Sequence, residues 1–407
     1  MFFIKNFLKI IFKLTNYPYD DFKYSIINHF LIIKTKVIIA LFFSYFLAKI
    51  FYLKLLKKLK NYAKGRQYID KCLNNIHIKS HNFFYNFPKF SVIIPVFNCE
   101  NTIYFPIISI QNQNLTQYEI ILINDFSKDR TSQIIERFSL IDKRIKIINN
   151  KRTFGTLYSR CIGTLIAKGK YIFPLDNDDM IFEEDLFDHL YKITEEYKYD
   201  IIGFRAVNSK SYSEKIRKMK DTNLYKYPDN LIVHQPELST WLISFEGQYN
   251  PHDVTLWGKI FELNLYIKAI NLLGIKKYST YVSWAEDTCM NFIIFNIAQS
   301  FKYINKYGIL HLIRPSQASN TQPINNKFFG ELFLLEIIYD FSRKSEEKNY
   351  SILAALYIIR HYNKYKSIIN NYNLLYLKKI IMKIFKSQFL NEKDKYKLIT
   401  SFYKFLL

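Results

Sequence analysis

Asp176, Asp178 and Asp179 place three carboxylates in four positions of the stretch YIFPLDNDDM, residues 171–180. Like charges this close raise one another's proton affinity unless a cation neutralises them. Oxygen donors at adjacent positions suit a hard divalent ion, magnesium or manganese, that keeps some waters and shares itself with phosphate oxygens. An EF-hand loop starting at Asp176 would need Gly at its sixth position and Glu at its twelfth, where the chain has Ile181 and Phe187. A helix N-cap uses one carboxylate, with Asp178 or Asp179 opening FEEDLFDHLYKITEEY, and leaves the other two unexplained.

The elements that must position these groups are legible upstream. FSVIIPV (90–96), EIILIN (119–124), RIKIIN (144–149) and KYIFPL (170–175) are short runs rich in Ile, Val and aromatics, each reading as a buried strand. Segments of helix length, 101–113, 129–138 and 153–167, lie between them. That alternation predicts an α/β fold: a Rossmann-like, mostly parallel sheet with helices on both faces. Ligands of such sheets bind beyond the carboxyl ends of the strands. The first strand runs there into Phe97, Asn98 and Glu100, the second into Asp125, and the fourth into the aspartate cluster. The first strand is followed by PVFNCENT, so neither a G-x-G-x-x-G nor a P-loop cradles phosphate, and a metal becomes the counter-charge for a nucleoside diphosphate.

Composition narrows the class. Of 407 residues, 49% are hydrophobic and 18% aromatic, which excludes a mostly disordered chain. The formal charge of +23 comes from lysines spread along the whole length without a nucleic-acid-binding motif, so a basic surface is expected and nucleic acid is not a partner. Cys72, Cys99, Cys161 and Cys289 lie far apart and read as buried free thiols.

Residues 1–67 read as a membrane region. The run 37–53, VIIALFFSYFLAKIFYL, is apolar except for Ser44 and Lys49, and with snorkelling lysines it approaches the ~30 Å of a bilayer core. Lys5, Lys9 and Lys13 recur every fourth residue among apolar side chains, the pattern of a helix lying on a membrane. A single pass near the N-terminus is therefore expected, in the ER or Golgi. Lys54 to Arg66 carries six basic residues and no acid, favouring a cytosolic catalytic domain, whereas the sequons at Asn114 and Asn349 would suit a lumenal one. After a linker at 68–89 the main domain is expected over 90–325. Residues 326–407 follow as amphipathic helices whose lysines interrupt every apolar run.

SVIIPVFN, ILINDFSKDRT and NNKRTFGTLYSRCIGTLIAKGKYIFPLDNDDM together resemble the nucleotide-binding half of family 2 glycosyltransferases, which have the GT-A fold. The likeness is strong over 90–204 and weaker through TLWGKIFELNLY, WAEDTCMNF and YGILHLIRPSQASNT. It implies that Pro95, Val96 and Phe97 border the nucleobase, that Asp125 binds the nucleoside and that Arg160 lies near the nucleotide. Cys161 departs from the asparagine usual after that arginine. Asp176 and Asp178 form the D-x-D, the first near ribose and metal, the second ligating manganese or magnesium. Asp287, in the pair Glu286-Asp287, falls where the family keeps its catalytic base. Trp257 and Lys259 read as packing and snorkelling groups.

The implied activity is inverting, metal-dependent transfer of a sugar from a UDP- or GDP-sugar to an acceptor glycan, lipid or protein at a membrane. The alternative is a catalytically inactive GT-A-like module that binds a nucleotide sugar or glycan.

Overall fold

In a computed structural model of the chain, the described residues are 87–210, 220–221, 228–235, 237–240, 255–274, 285–314 and part of 327–341. All lie in the unit Ser80–Leu407. Among them no helix is long and apolar enough to cross a membrane. The expected anchor at 37–53 and most of the expected C-terminal helices fall outside the described residues.

Four strands carry the first half: β1 (Phe90–Val96), β2 (Tyr118–Asn124), β3 (Ile145–Asn149) and β4 (Tyr171–Pro174). They pair in parallel in the order β3-β2-β1-β4, with Val92 opposite Ile120 on one side and Phe173 on the other. The connections are helical: α1 (Tyr104–Gln111), α2 (Thr131–Ile141) and α3 (Thr156–Leu165).

Strand parity assigns the two faces. Ile93, Ile121, Ile123 and Ile172 share one core with Leu157 and Cys161 of α3. The alternate residues Phe90, Tyr118 and Phe173 point the other way and meet Phe187 of α4 (Leu186–Glu196), with ring centroids 5.1, 5.5 and 5.5 Å away. Helices thus cover both faces, as expected. The seating of α3 depends on Gly163, where a Cβ would lie 2.6 Å from Ile123 Cδ1 and 2.8 Å from Ile93 Cγ2.

The second half corrects one expectation. Beyond β4 come β9 (Lys259–Glu262), β6 (Ile201–Ser209), β10 (Ser300–Leu312) and β5 (Met180–Ile181). Two short strands pair off this path, β7 (Lys220–Asp221) with β6 and β8 (Ile232–His234) with β10. β9 is antiparallel to both β4 and β6, and β5 to β10, so the sheet is mixed rather than mostly parallel. The last residue of β9, Glu262, lies opposite Tyr171 at the start of β4 and caps α6 (Leu263–Leu273) by accepting from Leu265 N at 2.7 Å.

β6 and β10 are parallel to each other and shift register between Ile304 and Tyr307 and again between Tyr307 and Ile309. A short helix, α5 (Glu237–Thr240), precedes α7 (Glu286–Ile297), which is buried continuously from Cys289 to Phe295 and so contacts protein on all sides beyond its first turn.

Candidate active site

Every parallel strand of the first half delivers its polar residues to the carboxyl edge of the sheet. Asp176, Asp178 and Asp179 follow β4, and one ligand atom from each lies within 4.8 Å of the others. Burial pushes all three carboxyls above the usual range. Asp179 adds to the rise at Asp178, while Arg160, Arg314 and His311 pull the other way at Asp176, Asp178 and Asp179 respectively.

Arg160, on α3 and only 3% exposed, joins the two halves of the site. One terminal nitrogen donates to Asp176 and the other to Asp287. Burial works against its charge, and Asp287 and Asp176 more than offset that cost. Asp287 sits in the first turn of α7, and its other oxygen accepts from Leu256 N at 3.1 Å. The helix begins after Ala285, whose φ of 60° is costly for a residue with a Cβ and sharpens the entry of the chain. Glu286 beside it is partly buried, and its carboxyl is pushed up to about 7 by burial and by Asp287.

The last two cations come from β10 and its end. Arg314 pairs with Asp178, and His311 Nδ1 lies 3.1 Å from both oxygens of Asp179. Burial opposes the His311 charge, but Asp179 prevails and holds the imidazole at about 9, so it is an imidazolium at neutral pH. Leu312 N donates to Asp179 at 3.0 Å, and Trp257 stacks on His311 with centroids 5.1 Å apart.

Five carboxyls, Asp176, Asp178, Asp179, Glu286 and Asp287, thus face three cations, Arg160, Arg314 and His311. The carboxyls outnumber the cations, and three clustered carboxylate oxygens are the donor set that magnesium or manganese prefers. The residues fit such an ion.

The residues expected to border the nucleotide are held differently. Asp125 is 4% exposed, and its oxygens accept from Asn150 Nδ2 (2.8 Å), Phe154 N (2.9 Å) and Gly155 N (2.8 Å). It therefore pins the loop that leads into α3, with Gly155 at φ 91° where a side chain would be strained. The carbonyl of Val96 accepts from Asp125 N, and that of Pro95 accepts from Asn177 Nδ2 at 3.0 Å, tying the end of β1 to both neighbouring loops. Phe97 is 43% exposed at the same rim.

Of the residues expected from the sequence, the structure brings Asp176, Asp178, Arg160 and Asp287 together, with Glu286 adjoining. It keeps Pro95, Val96, Phe97 and Asp125 as a second group one or two strands away. His311 and Arg314 carried no expected role, although both lie in the segment YGILHLIRPSQASNT that the resemblance had picked out. Lys259 is a correction: it is 2% exposed and donates to Thr255 O at 2.6 Å, so it does not snorkel.

A family model described as Glycosyl transferase family 2 matches residues 91–249. The chain carries a family 2 glycosyltransferase domain. The match contains Asp125, Arg160 and the aspartate cluster and stops before Glu286, Asp287, His311 and Arg314, whose place rests on the geometry.

Glycosyltransferase GlyA of Streptococcus pneumoniae serotype 4 is 27% identical over 239 residues, 57% of this chain and 31% of GlyA. The uncharacterised glycosyltransferase EpsJ of Bacillus subtilis is 28% identical over 242 residues, 58% of this chain and 63% of EpsJ. The chain thus spans less than two thirds of either relative. Among solved structures, S. aureus TarS 1–349 in complex with UDP-GlcNAc superposes with a TM-score of 0.53 at 16% identity, covering 75% of this chain and 82% of TarS 1–349. That likeness is one of fold.

Proposed function

We propose that the chain is an inverting, metal-assisted glycosyltransferase that moves a sugar from a nucleoside-diphosphate sugar to an acceptor hydroxyl. One observation carries this reading: Arg160 holds Asp176 of the aspartate cluster and Asp287 of α7 on a single guanidinium, so a donor-binding group and a proton acceptor share one site.

In a single displacement, the acceptor oxygen forms a bond to the anomeric carbon as the bond from that carbon to the diphosphate oxygen breaks. The bonding pair leaves with the nucleoside diphosphate. Asp287 takes the proton from the attacking hydroxyl, which requires an approach to about 3 Å. Leu256 N and Arg160 fix its orientation from opposite sides. Asp176 and Asp178 would hold a divalent ion, which when bound supplies Lewis-acid neutralisation of the diphosphate. Asp125 fixes the loop at 150–155 beneath the nucleoside, and Phe97 offers an exposed ring for the base, with Pro95 and Val96 buried behind it. TarS was solved with UDP-GlcNAc, which puts UDP-sugars first among the donors to test and GDP-sugars second.

A non-transferring module that only holds a nucleotide sugar is the second reading, favoured by Arg160 and Arg314 already occupying two of the aspartates. Turnover separates the two. The full chain, purified in detergent, is incubated with UDP- and GDP-sugars with and without manganese, and nucleoside diphosphate release is followed. Release that needs manganese supports transfer; tight binding without release for any donor supports the holding module.

A further inference from the structure

The edge of the sheet opposite the carboxylates has a chemistry of its own. β1, β2, β3, β4, β6 and β10 all begin there, because β9 is antiparallel to both β4 and β6. α2, α3 and α4 run back to it and end there. Ten large hydrophobic residues are exposed among the described residues, and six of them lie on this one edge. Phe87, 80% exposed, stands just before β1; Leu140 (72%) and Ile141 end α2; Leu165 and Ile166 end α3; Tyr197 follows α4. They are spread from β3 to β6, five strand spacings or about 24 Å. Single exposed apolar residues need no explanation, but a row along one edge does.

The connecting loops on this edge, 87–89, 142–144, 166–170 and 197–200, contain six basic residues and two acidic ones. Asp142 is buried against Arg144, and Glu195 and Glu196 at the end of α4 reduce the surplus, Glu195 by pairing with Lys89. Lys143, Lys168 and Lys198 are exposed. Lys89, Lys168 and Lys170, with one acid, Glu262, line an open cleft of about 520 Å³ in the middle of the row, beside Phe87 and Tyr191. The 86 residues that precede Phe87 join the domain at this edge, and they include the apolar run 37–53.

We propose that this edge seats the domain on an anionic lipid surface. Aliphatic and aromatic side chains would enter the headgroup boundary and lysines would meet lipid phosphates, the combination that holds proteins in a bilayer interface. The orientation follows from the apolar row, since the largest apolar exposures, Phe87 at 80% and Leu140 at 72%, both lie on this edge. A seven-residue strand such as β1 spans about 23 Å, so the carboxylates face away from the bilayer at roughly that height.

The test places a polarity-sensitive fluorophore on Leu140→Cys, on Ile166→Cys and, at the carboxylate edge, on Lys128→Cys, each in the full chain with Cys72→Ser. The native Cys99, Cys161 and Cys289 are buried. Reconstituted into vesicles of equal parts phosphatidylcholine and phosphatidylserine, the labels at 140 and 166 shift to the blue and are quenched by a lipid-soluble nitroxide, while the label at 128 does neither. Phosphatidylcholine alone gives a smaller shift. Adding Lys143→Glu and Lys168→Glu diminishes the anionic response while donor turnover in detergent is unchanged. Equal response at 128, or no response at 140 and 166, overturns the proposal.

Discussion

The two halves of the sheet make the same edge in different ways. In the first, residues close in sequence suffice: β1 to β4 alternate with α1 to α3, and Asp125 reaches its partners at 150–155 within about one strand-helix unit. In the second, each contact spans a long loop of chain. Arg160 meets Asp287 across 127 positions, and Asp178 meets Arg314 across 136. Closing such loops costs entropy before any contact compensates, so the ion pairs of Arg160 and Arg314 depend on the whole sheet while the Asp125 loop depends on its own repeat.

The largest effects fall where the halves meet. Chelation abolishes donor turnover, and Asp178→Asn does so even with added manganese; activity that survives in chelator removes the ion from the mechanism. Asp287→Asn keeps the side chain's shape and loses its basicity. Transfer should fall about 10²- to 10⁴-fold, while nucleoside diphosphate binding in manganese, measured by calorimetry, stays near that of the unaltered chain. If Glu286→Gln is the dead variant and Asp287→Asn the active one, the base is the neighbour.

Arg160→Met leaves Asp176 and Asp287, 31% and 21% exposed, without their cation. A loss of about 1–3 kcal/mol is expected in a denaturant titration, the size seen when a partly buried polar group loses its partner. An unchanged midpoint would mean that the two halves are not coupled through this residue.

Glu286 adds a pH signature that one substitution can isolate. Its carboxyl is raised from 4.5 to about 7 in the fold, so the folded chain holds this proton more tightly than the unfolded chain. Its stabilising contribution is complete below the unfolded value and is lost as the pH rises to about 7, a change of up to about 3 kcal/mol. Melting temperatures from pH 5 to 8 should show this decline in the unaltered chain, and Glu286→Gln should flatten it. The smallest effect belongs to the first half: Gly163→Ala drives a methyl against Ile93 and Ile123 and costs about 1–3 kcal/mol. It should not move the pH profile.

Legibility in the sequence followed the same division. β1 was read at its observed bounds and β2 to β4 within a residue, because each is a compact run of β-branched and aromatic residues between polar turns. The aspartate cluster announced itself by spacing. The position of β9 did not, since four residues carry no signal of which neighbours they will find or in which direction. His311 and Arg314 were invisible as site residues because their partners are supplied by strand pairing and not by sequence neighbours. Arg160 did leave a trace: on α3 it lies between Leu157 and Cys161 on the buried face, and an arginine on such a face demands a carboxylate.

The register shifts in β10 make length matter more than chemistry over 305–308. Strand side chains alternate, so removing one residue there would exchange the faces of all that follows up to Leu312. His311 would leave Asp179, and Arg314 would be drawn from Asp178. Substitutions at the exposed Asn305 change one side chain, whereas a single deletion beside it dismantles two ion pairs. Over generations Asn305 can therefore vary far more readily than the residue number of the stretch, whereas Gly308 is held by Phe204 and Leu186, which leave no room for a side chain.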